Sequence, residues 1–204
     1  MLRNGRRMRL SKLGWMLALA TATFAVACDN DDGMPMDSMG DDTAPERLVV
    51  DGNYSDERFI DMMAAHHQMA IEMAEVERQK GTRPELQALA ARMIETQSKE
   101  IDELKALKQA RFGSSEVPMK MHPVEMENAG MMMPDELALQ PDVDKAFIDS
   151  MMPHHSGAIQ MATVALRRSD IEQIRTMSRG IIDAQAEEIG KMIDWRKTWY
   201  GSQQ

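Results

Sequence analysis

Phe59-Ile60-Asp61-Met62-Met63-Ala64-Ala65-His66-His67-Gln68-Met69-Ala70-Ile71-Glu72-Met73-Ala74 returns 88 residues later as Phe147-Ile148-Asp149-Ser150-Met151-Met152-Pro153-His154-His155-Ser156-Gly157-Ala158-Ile159-Gln160-Met161-Ala162. The offset continues without a gap beyond these blocks, where Gln97, Glu100 and Ile101 fall on Gln185, Glu188 and Ile189. A register kept through two successive segments is an internal duplication. Within the first block, Phe59, Ile60, Met63, Ala70, Ile71 and Ala74 recur at helical spacing, so each copy opens with an amphipathic helix.

Ser55 can cap the first helix, which the periodicity carries to about Lys80. Thr82 and Glu85 read as a capping box, with Pro84 in the first turn of a second helix that runs to near Gly113. Residues 55–112 are thus one helical hairpin. Residues 113–141 carry four prolines, six methionines and His122, and read as an irregular linker. A third helix is predicted from about Asp142 to Arg168 and a fourth from about Asp170 to Tyr200, opened by a second capping box of Ser169 and Glu172. Residues 142–200 form the second hairpin. Two hairpins with tight internal turns and one long connection predict an all-α, four-helix bundle of ferritin-like connectivity over residues 55–200.

The N-terminus reads as an export signal: Arg3, Arg6, Arg7, Arg9 and Lys12 precede an apolar run from Leu13 to Ala27. That run is too short to span a bilayer. It ends in Ala25-Val26-Ala27-Cys28, similar to a bacterial lipobox without its usual leucine, which makes Cys28 the candidate lipidation site and residues 1–27 the removed signal. The expected mature chain would sit in the periplasm or cell envelope, held to the membrane by lipid. Residues 28–54, rich in Asp, Gly and Pro and carrying Met34, Met36 and Met39, read as a flexible acidic tether. Losing residues 1–27 removes five positive charges and no acid, which moves the net charge from −9 to −14 and argues against nucleic acid as a partner.

The chemistry lies in the histidines. Four of the five form adjacent pairs at equivalent positions of the two copies, and the fifth, His122, lies beside Met119 and Met121. Met63 precedes His66 by three residues and His67 by four, and Met73 lies seven beyond His66, so thioethers and imidazoles share a helix face. Met151, His154, His155 and Met161 repeat the set. Met62 and Met69 extend the first copy where the second has Ser150 and Gly157, so two unequal sites are expected, the more so because Pro153 removes a helical hydrogen bond beside the second pair. Thioether with imidazole favours Cu(I), a soft ion, over zinc or calcium. A methionine stripe on a helix is more often core filler, but duplicated histidine pairs in a chain of 22 methionines and five histidines are not a common packing pattern.

The two blocks together resemble the bacterial family known as domain of unknown function 305, whose hallmark string Phe-Ile-x-x-Met-x-x-His-His-x-x-Ala-Ile-x-Met-Ala both copies carry in close form. The resemblance covers nearly all of residues 55–200. It implies a ferritin-like bundle, and for some exported members a copper-binding role in copper tolerance. On that basis Met63, His66, His67, Met73, Met151, His154, His155 and Met161 are the expected ligands, with a copper-donating or copper-accepting protein as the expected partner. No nucleophile with a partnered base and no nucleotide-binding loop is present, so no enzymatic activity is expected. Two other readings remain open at this level. One is a di-iron-type redox or storage protein in which Glu100 and Glu188 join the histidines, although these acids sit on otherwise polar helix faces and read as solvated. The other is a metal-free helical interaction module.

Overall fold

The computed structural model describes residues 48–120 and 132–201. They form an all-α bundle of four long helices with one short helix and a two-residue-per-strand hairpin: β1 (Val49–Val50), β2 (Asn53–Tyr54), α1 (Asp56–Lys80), α2 (Pro84–Phe112), α3 (Pro134–Leu137), α4 (Val143–Arg168) and α5 (Glu172–Tyr200). Among the described residues no helix is long and apolar enough to cross a membrane. The export signal, Cys28, Met121 and His122 lie outside the described residues.

Helix α1 starts as its sequence predicts: the Ser55 hydroxyl accepts from the Arg58 amide at 3.2 Å, and Asp56 and Glu57 occupy the first turn, where the helix dipole favours acids. Helix α2 ends at Gly113, whose φ of 79° is the left-handed conformation that glycine adopts without strain. The predicted capping boxes do not form. The residue capping α2 is Arg83, with no side-chain cap of its own, and Thr82 instead donates its hydroxyl to Asp144 at 2.5 Å. Asp144 also accepts from the Thr82 and Arg83 amides at 3.0 Å, so a carboxylate from the other hairpin satisfies the amides that lead into α2. Burial works to raise its pKa, but these hydrogen bonds outweigh it and hold Asp144 below the usual carboxylate range. Before α5, the Ser169 hydroxyl accepts from the Ile171 amide two residues on at 3.0 Å, and Glu172 turns outward to Arg175. At α2 a tertiary partner displaced the local motif, whereas before α5 two other local contacts did.

The tether ends earlier than predicted. Leu48 is fully buried, and Val49-Val50-Asp51-Gly52-Asn53-Tyr54 closes an antiparallel hairpin in which Val49 pairs with Tyr54. Asp51 and Gly52 both have positive φ, 50° and 76°, as a tight Asp-Gly hairpin turn requires. The linker is likewise not wholly irregular. Helix α3 buries Leu137 completely, and Lys80 Nζ donates to the Ala138 carbonyl at 2.9 Å. At its other end, Lys108, almost fully buried, donates to the Glu116 carbonyl at 2.9 Å and to Asp61 at 2.6 Å.

Helices α1 and α4 cross antiparallel at the centre. The start of α4 meets the end of α1 at Asp144 and Thr82, while Arg168 at the end of α4 donates to the Gly52 carbonyl beside the start of α1. Two apolar clusters result. Phe59, Ile60, Met63 and Ala64 pack with Ala158, Met161, Ala162 and Ala165 at one end, and Met69, Ala70, Met73 and Ala74 pack with Phe147, Ile148 and Met151 at the other. Each fully buried Phe, Ile or Met contributes about 1.5–3 kcal/mol relative to exposure, so the two clusters dominate the stability of the fold.

Candidate metal centre

Between the two apolar clusters lies a layer of histidine. His66, His67, His154 and His155 are all at most 3% exposed. The antiparallel crossing brings His66 of α1 against His154 of α4, with ring centroids 3.7 Å apart and planes tilted by 45°. Each inner ring has its chain neighbour 6.5 or 6.2 Å to one side. The two predicted sites are therefore one layer. Met63 shares a core cluster with Met161, and Met73 with Met151, so the thioethers grouped along one helix by sequence are divided in space, two on each side of the imidazoles. All four are buried. Met119 stands apart from them on the surface, 38% exposed.

The outer histidines are held by carboxylates that the sequence reading took for solvated residues. His67 Nε2 lies 2.8 Å from Glu100 Oε2, and His155 Nε2 lies 2.7 Å from Glu188 Oε2. The second contact is an aligned hydrogen bond. The first is close but misaligned, and His67 Nε2 lacks a hydrogen-bond partner. Glu100 and Glu188 are only 17% and 16% exposed. Each comes from the second helix of the same hairpin, so a hairpin supplies both members of its own Glu–His pair. The repeat offset was the available signal, because a freely solvated position has no reason to hold the same acid in both copies. Gln97 and Gln185, one turn earlier on the same helix faces, are also buried, each with an unpartnered Oε1.

Pro153 does not break the symmetry of the layer. Helix α4 runs through it unbroken, and the second pair matches the first in burial, ring separation and carboxylate distance. Gly157, the counterpart of Met69, makes room on one side: a Cβ there would lie 3.4 Å from His66 Nε2.

The electrostatics leave the inner rings neutral. Burial, reinforced by repulsion from neighbouring histidines, pushes His66 and His154 well below the usual imidazole value, so their lone pairs are available at neutral pH. Six buried imidazole nitrogens have no hydrogen-bond partner: Nδ1 of all four rings and Nε2 of His67 and His154. An orphaned buried polar atom costs about 1–3 kcal/mol, so native proteins rarely collect them. Among the described residues no three His, Cys, Asp or Glu side chains converge as they do around an ion. The inner rings lie against each other at a tilt rather than aim at a common point. Nitrogen lone pairs without partners beside four buried thioethers nonetheless fit a soft ion as a donor set, and holding one requires the inner rings to turn.

Comparison with known proteins follows the same lines. The family model described as domain of unknown function (DUF305) matches residues 14–108 and 144–204. Among solved structures, CopM in the Cu(I)-bound form is 36% identical with a TM-score of 0.65, covering 73% of this chain and 100% of CopM. CopM in the Cu(II)-bound form is 37% identical with a TM-score of 0.67, covering 72% and 99%. A DUF305 fragment from Deinococcus radiodurans, 22% identical with a TM-score of 0.60 over 68% of this chain and 92% of that one, shares the fold. No curated protein sequence matches the chain.

Proposed function

This chain belongs to the DUF305 family, and we propose that it is an exported copper-binding protein that sequesters or hands on the ion, favouring Cu(I), and catalyses no reaction. The observation that carries the reading is the buried layer of six orphaned imidazole nitrogens between four buried thioethers. Such a layer is costly in the absence of an ion and becomes favourable once its lone pairs are used. CopM, which this chain covers almost end to end, has been solved with Cu(I), with Cu(II) and with Ag, and the last is a soft ion like Cu(I).

His66, His67, His154 and His155 would hold the ion with thioethers drawn from Met63, Met73, Met151 and Met161. Copper is cargo in this scheme, and its chemistry there is ligation alone. The residues of the chain do the rest. Burial keeps His66 and His154 unprotonated, so ligation need not compete with a proton. Glu188, accepting from His155 Nε2–H, fixes the tautomer that leaves the Nδ1 lone pair free, while Glu100 Oε2 stands 2.8 Å from His67 Nε2 without an aligned hydrogen bond. The apolar clusters on both sides exclude water. Cys28 would carry the lipid that tethers the bundle to a membrane, and Met119, Met121 and His122 would capture copper outside the bundle. The iron reading is weaker, because Glu100 and Glu188 each engage a single outer histidine and do not converge.

The test is the metal content of the mature chain after exposure to Cu(I), Cu(II), Zn(II) and Fe(II) in turn, against a competing chelator. Selective Cu(I) retention that disappears when the four paired histidines become Ala, at unchanged helical content, supports the reading. Equal retention by that variant moves the site to the methionine-rich segments. No retention by the unaltered protein ends the copper reading.

A further inference from the structure

The histidine layer is buried, so an ion must reach it through the wall of the bundle, and the two sides of that wall are not alike. Between α2 and α5 at the Glu100 side runs an open groove of about 730 Å³, lined among others by Thr96, Glu100, Leu107, Met177 and Gly180. Glu100 is both a wall of the groove and the carboxylate 2.8 Å from His67 Nε2, so a single side chain separates solvent-filled space from the layer. Its contact with His67 is the misaligned one of the two Glu–His pairs. Met177 places a thioether on the groove wall.

The duplication supplies the comparison. Counting 88 residues along, Leu107, Arg111 and Gly180 correspond to Trp195, Trp199 and Arg92. Trp195 and Trp199 stack with centroids 5.4 Å apart and planes within 6°, the Arg83 guanidinium lies 4.8 Å over the Trp199 ring, and both indoles pack on the apolar core. Bulk and stacking thus cover the Glu188 side, where the Glu100 side has a leucine and a glycine with open space beyond it.

We infer that the ion enters and leaves the histidine layer on one side only, through the groove between α2 and α5 past Glu100, while the indoles seal the opposite side. The inference rests on the copper reading above and adds a route to it. Gly180 is the position at which to block the groove, because a Cβ there meets nothing within 4 Å and the backbone is ordinary helix. Gly190, on the same helix, exposed and equally unobstructed, is the control.

The experiment is the time course of Cu(I) transfer from a coloured chelator to the full mature chain, with the final stoichiometry and the helical content measured on the same samples. Gly180→Trp is expected to slow loading by about tenfold or more with unchanged stoichiometry, while Gly190→Trp loads like the unaltered protein. Loading of Gly180→Trp at the unaltered rate, or equal slowing by Gly190→Trp, overturns the route and leaves the copper reading standing. If the unaltered protein takes up no Cu(I) at equilibrium, the copper reading fails and the route falls with it.

Discussion

The hairpin of α1 and α2 and the hairpin of α4 and α5 share one set of bonds and differ at other positions. Asp61 meets Lys108 at 2.6 Å in the first, and Asp149 meets Arg196 at 2.6 Å in the second, at positions that correspond under the repeat. The Glu–His pairs and the buried Gln97 and Gln185 correspond in the same way. Elsewhere the match is lost. Glu77 is buried where the second copy has Ala165, and the groove by Leu107 is open where Trp195 closes its counterpart. What both halves need for the layer is held twice. What only one half needs is free to differ.

The largest expected effect breaks the comparison at Glu77, which has no counterpart. Burial, then the neighbouring Asp144 charge, raises its pKa to about 8. The folded state therefore holds a proton that the unfolded chain gives up near pH 4.5, so stability is full below that pH and is lost as pH rises toward about 8. Glu77→Gln should stabilise the protein by about 3 kcal/mol at pH 8 and have little effect at pH 4, read from urea unfolding at both. A flat difference between the two pH values would show that Glu77 is not the titrating group.

Next come the paired bridges. Lys108→Met and Arg196→Met each strand a half-buried carboxylate and should cost about 2 kcal/mol in unfolding free energy, nearly equal in the two hairpins. A loss confined to one would mean that the corresponding bonds are not equivalent in strength. Burial works to raise the Asp149 pKa, but Arg196 and Lys145 outweigh it, so the second bridge should also weaken on acidification, as pH falls through the lowered pKa of Asp149. At the layer, Glu100→Gln and Glu188→Gln should each reduce copper affinity by about tenfold, measured by chelator competition, with Glu188→Gln the larger because its hydrogen bond is the aligned one. The smallest change is the methionine swap. Met63→Leu with Met151→Leu keeps volume, so stability should shift by under about 1.5 kcal/mol while copper retention falls. Retention equal to the unaltered protein would make these side chains packing alone.

The fold was legible because its strongest signal was redundant: the repeat predicted the helices, their pairing and the long crossover. The errors lie where distant residues override local chemistry. Thr82 looks like a cap until Asp144, 62 residues away, takes its hydroxyl. Leu48 looks like tether because a three-residue apolar run, Leu48-Val49-Val50, is too short to show a period, and its burial in the core appears only in the fold. At the site, residue types and helix faces were readable, but the antiparallel crossing was not, so Met63 and Met73 were grouped along a helix when the fold separates them. Glu100 and Glu188 were misjudged for a related reason. A polar helix face alone gives no sign of which of its acids will meet a histidine; the repeat, which puts the same acid in both copies, does.

The antiparallel crossing of α1 and α4 is an isologous contact of the kind two identical subunits make about a twofold axis, each giving the other the same surface that it receives. The 113–141 segment turns that dimer into one chain. In a true dimer every substitution appears twice, so Trp195 could not seal one wall without sealing both. Fusion lets the histidine layer keep its symmetry while its two sides specialise.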